Sequence, residues 1–305
     1  MKVSIAITLL NEEKAIKSLL NSLLSQTQNP SEIVIVDAGS TDETIKIIKN
    51  SQKKNKSIKL FVKKGLNIAQ GRNLAIKKSK NEIIAIIDGG CIAKKDWLEK
   101  ITQPFEDPKI EHVAGFYEMT GESNLQKAAK LFLGVLPQNF KQDNFLPSAR
   151  SMAFKKSFWK RLGGFEEKFS FAGEDTHFNY KALLNYSNIA RQKKAIVYWE
   201  VPKSFKSLIR KFFLYAVGDG EMLKITKKFN HHSIKIFSIY LRYLIMFLLF
   251  PFTAILLIIY LFWSINKFSK IKKTWQTTIL IPIIQIASDF AVMAGFLYGI
   301  SKRNN

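Results

Sequence analysis

Residues 32–48 read EIVIVDAGSTDETIKII. Ile33-Val34-Ile35-Val36 is apolar without alternation, the pattern of a strand buried on both faces. Asp37 follows at once. Gly39 supplies a turn, and Ser40 with Glu43 predicts a capping box opening a helix. The same alternation holds on both sides of this stretch. Residues 3–9 read as a strand, and residues 12–25 as a helix with Ala15, Ile16, Leu19, Leu20, Leu23 and Leu24 on one face. Downstream come strand Ile58–Val62, helix Ile68–Lys77 and strand Ile83–Ile87, which runs into Asp88-Gly89-Gly90. Strands alternating with helices predict a parallel sheet with right-handed crossovers. Ligands of such sheets sit beyond the carboxyl ends of the strands. Thr8, Asp37 and Asp88 fall at those ends.

The 305 residues suit one large or two smaller folding units. With 47% hydrophobic residues the chain has ample side chain to bury, which excludes intrinsic disorder. Cys91 is the only cysteine, so a disulfide scaffold is excluded and a reducing compartment is expected. The net charge of +23 suits a polyanionic partner: nucleic acid, an anionic membrane surface or a phosphate-bearing substrate. Only 7 of the 47 cations are Arg, and there is no zinc spacing, RRM-like aromatic motif or Arg-rich stripe. Nucleic acid is therefore set aside.

The composition changes near residue 235. Residues 243–263 form 21 positions without a charge, enough to cross a hydrocarbon core as a transmembrane helix. A second run, 277–300, carries Pro282, Gln285 and Asp289 and is expected to be a membrane or interfacial helix. Trp263 and Trp275 flank the connection like an aromatic belt. The cations conflict with a simple hairpin of two spans. Lys224, Lys227, Lys228, Lys235 and Arg242 precede the first run, while Lys267, Lys270, Lys272 and Lys273 lie in the connection. Two spans put these four on the outer face, against the positive-inside rule. Lys302 and Arg303 follow the second run.

Five stretches in order carry a resemblance: VSIAITLLNEE, EIVIVDAGSTDETIKII, GLNIAQGRNLAIKKSKNEIIAIIDGGC, SARSMAFKKSFWKRLGGFEE and AGEDTHF. Over roughly residues 1–220 the chain resembles family 2 glycosyltransferases of the GT-A fold, in particular members that end in hydrophobic helices. The resemblance implies an α/β, Rossmann-like mixed sheet over residues 1–230, followed by a membrane-attachment region over 231–305. It implies that Thr8, Glu12, Asp37 and Arg72 contact the nucleotide-sugar. Asp88 matches the first acid of the D-x-D motif that holds Mg²⁺ or Mn²⁺ on the diphosphate. Gly90 stands where the second acid belongs, and Ala38 stands where the family often has another acid beside Asp37. Glu174-Asp175 matches the family's catalytic pair, with Asp175 as general base. Gly163-Gly164-Phe165 matches the turn before the acceptor side.

The expected function is inverting transfer of a sugar from a nucleoside diphosphate to a membrane-associated, lipid-linked saccharide on the cytoplasmic face, in cell-envelope polysaccharide synthesis. The Q-x-x-R-W motif of processive members is absent, which suits one sugar per visit. Two alternatives stay open: a polyprenyl-phosphate sugar synthase, or a catalytically weakened, membrane-anchored nucleotide-sugar-binding protein. A nucleotidyltransferase would place a Gly-rich loop after the first strand, where this chain has Leu10-Asn11-Glu12-Glu13.

Overall fold

A computed structural model describes residues 1–185 and 188–302; Arg303 lies outside them. In chain order the elements are β1 (Val3–Leu9), α1 (Ile16–Leu24), β2 (Glu32–Asp37), α2 (Thr44–Lys54), β3 (Ile58–Val62), α3 (Ile68–Lys78) and β4 (Ile83–Ile86). Next come β5 (Cys91–Ala93), α4 (Trp97–Thr102), β6 (His112–Thr120), α5 (Asn124–Leu133), β7 (Met152–Lys155) and α6 (Lys156–Arg161). Then follow α7 (Glu174–Asn185), β8 (Ile189–Glu200), α8 (Phe205–Thr226), α9 (His231–Leu248), α10 (Thr253–Asn266) and α11 (Trp275–Ser301). They form two compact units. The first comprises 1–119, 137–170 and 174–200; the second comprises 120–136, 171–173 and 201–305.

The first unit holds the sheet, in the order β3-β2-β1-β4-β7-β6-β8-β5. Strands β3, β2, β1 and β4 are parallel, as the alternation with helices predicts. Beyond β4 the sheet is mixed: β7 runs antiparallel to β4 with Ile84 opposite Phe154, and β6 is antiparallel to β7. Val34, Val36, Ile84, Ile86, Phe154, Phe158, Phe165 and Phe178 form one buried cluster, so the parallel and antiparallel strands share a core.

The capping box expected from Ser40 and Glu43 does not form. Helix α2 starts at Thr44, and Glu43 makes no capping bond with its side chain. The Ser40 hydroxyl donates instead to Asp37 Oδ2 (2.6 Å) and accepts from the Asn11 N–H (2.8 Å). The first helix starts at Ile16 and not at residue 12, because Glu12 lies in the preceding turn and its carbonyl accepts from Ala15 and Ile16 N–H.

His112, on β6, is fully buried among the rings of Phe154, Phe158 and Phe178. Neither ring nitrogen has a partner among the described residues. Burial pushes its pKa down to about 3. The unfolded chain binds this proton near pH 6.5 and the folded chain does not. Stability should therefore be complete above pH 6.5 and fall as the pH drops toward 3, by roughly 4 kcal/mol. His112→Phe should flatten that acid limb in denaturant unfolding measured from pH 7 to pH 4.

In the second unit α8 and α11 approach at backbone distance. A Cβ at Gly220 would fall 2.3 Å from the Phe296 carbonyl oxygen, and one at Gly299 would fall 2.2 Å from that of Val217. Small residues permit such close helix pairs. This packing draws α8 into the second unit, which takes in the chain from Val201 onward. The uncharged run 243–263, expected as one helix, is two: α9 ends at Leu248, α10 begins at Thr253, and Pro251 lies in the break. Proline lacks the N–H an α-helix needs and its ring clashes with the preceding turn. The second run matches α11. Among the described residues, α11 alone is long and apolar enough to cross a membrane, by length and composition.

Candidate active site

Three consecutive residues of α3 organise the site, all within the first unit. Asn67 and Gln70 cap the helix reciprocally, which fixes its start. At Gly71 a Cβ would fall 2.0 Å from Thr8 Oγ1, so only glycine lets α3 lie against the end of β1. Arg72 is buried, at 3% exposure. Its Nη2 donates to Asp88 Oδ1 (2.7 Å) and its Nη1 donates to Glu174 Oε1. Its guanidinium lies 5.9 Å from the Phe165 ring centroid. Asn73 donates to the Phe165 carbonyl (2.9 Å) and accepts from its N–H (3.0 Å), which holds the Gly163-Gly164-Phe165 turn.

This geometry unites three expected site residues that lie far apart in the chain. Asp88 extends from the end of β4, and Glu174 and Asp175 open α7. Glu174 is buried with its Oε2 unpartnered among the described residues. A buried carboxylate held by an arginine is costly to separate from it. Asp175 is half-buried. Its Oδ2 accepts from Ala149 N–H (3.1 Å) and its Oδ1 from Thr176 N–H (2.8 Å), so the carboxylate is oriented by backbone.

Asp37 is fully buried and builds its own turn. Its Oδ1 accepts from Gly39 and Ser40 N–H at 2.8 and 2.7 Å, and its Oδ2 from the Ser40 hydroxyl. Glu12 lies across the Gly89-Gly90 turn. A Cβ on Gly89 would meet Glu12 Cγ at 3.1 Å, and one on Gly90 would lie 3.8–3.9 Å from both Glu12 carboxylate oxygens. The carboxylate of Glu12 thus occupies the neighbourhood where a second D-x-D acid would project. Spacing along the chain could not reveal this, because 78 positions separate Glu12 from Gly90 (90 − 12).

Arg150 is a further residue that sequence left without a role. Its guanidinium stacks 4.1 Å from the Trp199 ring centroid and 4.9 Å from that of Tyr117. It directly follows Ala149, which holds Asp175. His177 is half-buried against Phe169, and burial lowers its pKa.

Residues 4–170 match the family model of glycosyl transferase family 2. The glycosyltransferase EpsJ of Bacillus subtilis is 23% identical over 218 residues, covering 68% of this chain and 63% of that protein. The chain thus spans less than two thirds of that relative's length. A dolichyl N-acetyl-α-D-glucosaminyl phosphate 3-β-D-2,3-diacetamido-2,3-dideoxy-β-D-glucuronosyltransferase of Methanococcus voltae is 23% identical, covering 99% of this chain and 98% of that one. In fold, the chain is similar to the mannosyltransferase PcManGT of Pyrobaculum calidifontis, solved in complex with GDP-Man and Mn²⁺. The TM-score is 0.63 at 18% identity, over 98% of this chain and 87% of that one. With the family match spanning more than half the chain and the mixed sheet in place, the chain belongs to glycosyl transferase family 2 and has the GT-A fold.

Proposed function

We propose that the chain is an inverting glycosyltransferase that moves a sugar from a nucleoside diphosphate to a hydroxyl of a membrane-associated, lipid-linked saccharide, with the first unit on the cytoplasmic side. The observation that carries this reading is the bridge of buried Arg72 between Asp88 and Glu174. It ties the carboxylate expected at the diphosphate to the helix whose next residue, Asp175, is the candidate base. The acceptor of the Methanococcus relative, a dolichyl-phosphate-linked sugar by its name, supports a lipid-linked acceptor here.

In the proposed reaction Asp175 accepts the proton of the acceptor hydroxyl as its oxygen attacks the anomeric carbon. The bond from that carbon to the diphosphate oxygen breaks on the opposite face. Asp175 suits this role because backbone N–H groups aim it: Oδ1 accepts from the Thr176 N–H and hydroxyl, while Oδ2 accepts from the Ala149 N–H and keeps a lone pair for the incoming proton. Arg72 holds Asp88 and Glu174 in place, so the site is organised before the donor arrives. Arg150, over the rings of Trp199 and Tyr117, is a cation set to position the acceptor.

No group of three or more His, Cys, Asp or Glu gathers for a metal among the described residues. A site for Mg²⁺ or Mn²⁺ does not need one. Mg²⁺ is commonly held by one or two carboxylates, with substrate phosphates and water completing the shell. Asp88 and Glu12, beside a turn whose two glycines leave room for Glu12, fit that description. When bound, the metal would neutralise charge on the departing nucleoside diphosphate.

A panel of nucleotide-sugars, read as thermal stabilisation of the full chain in detergent with and without Mn²⁺, tests donor and metal together. The true donor should raise the melting temperature by mass action. Glu12→Gln should raise the Mn²⁺ concentration that donor-dependent stabilisation requires. No stabilisation by any nucleotide-sugar would overturn the reading.

A further inference from the structure

We infer that α9 and α10 form a wedge that enters one leaflet of an anionic bilayer and returns to the face it came from, so that the uncharged run 243–263 does not cross the membrane. This rests on the membrane attachment proposed above and specifies its form.

Helix lengths come first. A single helix over 243–263 would suffice to span, but the run is broken between Leu248 and Thr253. Helix α10 has 14 residues, about 21 Å of rise, short of a ~30 Å hydrocarbon core. The two arms fold back on each other. The Thr253 hydroxyl donates to the Met246 carbonyl (2.7 Å) near the tip, and the Tyr243 and Tyr260 rings meet at 6.4 Å further down. The tip is bare and apolar: Phe247, Leu248, Phe250 and Phe252 are 77%, 67%, 80% and 61% exposed.

The base of the wedge is of opposite character. Arg242 donates to Asp289 (3.3 Å) and lies over the rings of Tyr260 (4.4 Å) and Trp263 (5.5 Å). Lys267 lies over Trp263 as well, at 5.5 Å. Cations stacked on Tyr and Trp are the makeup of a headgroup-level collar. From Arg242 to Leu249 the helix rises about 10 Å, matching the ~5–10 Å to which one-leaflet helices sink.

Charge argues for the same occupant. A crossing run would place Lys267, Lys270, Lys272 and Lys273 on the face opposite Lys224, Lys227, Lys228, Lys235 and Arg242. A wedge gathers both sets on one face, where each cation near anionic headgroups contributes about 1 kcal/mol. The conflict with the positive-inside rule then disappears.

Variants of the full chain with one added cysteine, in sealed vesicles of each orientation and probed with a membrane-impermeant maleimide, test this. Buried Cys91 of the unsubstituted chain serves as background. Lys228→Cys and Lys270→Cys should label from the same face, and Phe250→Cys only after detergent. Labelling of Lys228→Cys and Lys270→Cys from opposite faces overturns the wedge while leaving membrane attachment standing. Failure of the unsubstituted chain to float with phosphatidylglycerol vesicles overturns the attachment itself. The variant F247D/F250D should lower the floated fraction at least about tenfold; an unchanged fraction overturns the wedge.

Discussion

Asp175→Asn is expected to leave donor binding near that of the unsubstituted chain while turnover onto a hydroxyl acceptor falls by roughly 10²–10⁴-fold. The amide has the shape of the carboxylate, and its oxygen can still accept from Ala149 N–H, which holds Asp175 at 3.1 Å. It cannot accept the acceptor's proton. The loss should therefore appear in kcat, with donor-induced thermal stabilisation unchanged, the signature of an interaction made in the transition state. Full turnover onto a hydroxyl acceptor would remove Asp175 from the role of base. Turnover that survives only with a polyprenyl phosphate would favour the synthase alternative, because that nucleophile is already ionised.

Arg72→Met should be the most destabilising single change in the first unit. The substitution keeps much of the aliphatic bulk against Phe165 but removes the cation between Asp88 and Glu174. Glu174 is 2% exposed and would be left as an uncompensated buried carboxylate. Breaking a buried pair from one side costs about 3–5 kcal/mol. Denaturant unfolding of the full chain in detergent should show that loss. Adding Glu174→Gln should recover part of it, because the second substitution removes the stranded charge. If the double variant is no more stable than Arg72→Met alone, the cost lies in packing and not in charge. Nucleotide-sugar binding by Arg72→Met should weaken in parallel, since Asp88 loses the group that aims it.

Much of the first ninety residues was legible because the signals there are local. Four apolar runs of four to seven residues separated by amphipathic stretches can fold only as strands and helices in alternation, and they do. The acids at the strand ends followed from the same reading. The contents of the turns did not. The Ser40 oxygen that a capping box needs as an acceptor takes the Asn11 N–H instead, 29 positions away, while its hydroxyl donates to Asp37. Arg150 had no local pattern to mark it; its surroundings appear only where β6 and β8 bring the Tyr117 and Trp199 rings beside its guanidinium.

A count of uncharged residues over 243–263 passes over one proline and so misses the break between Leu248 and Thr253. Counting could not show that the arms on either side of Pro251 fold back together, since that depends on Tyr243, Thr253 and Tyr260 meeting in space.

By itself, then, the sequence determined the parallel half of the sheet, the order of the motifs and which acids follow the ends of the parallel strands. Periodicity and turn chemistry act over a few residues and are written into the chain. Only the tertiary structure decided that Arg72 pairs with a carboxylate 102 positions away, that Glu12 fills the space beside Gly90, and that the uncharged run turns back on itself. Those outcomes depend on which surfaces pack together, and packing between distant segments leaves no spacing in the sequence to read.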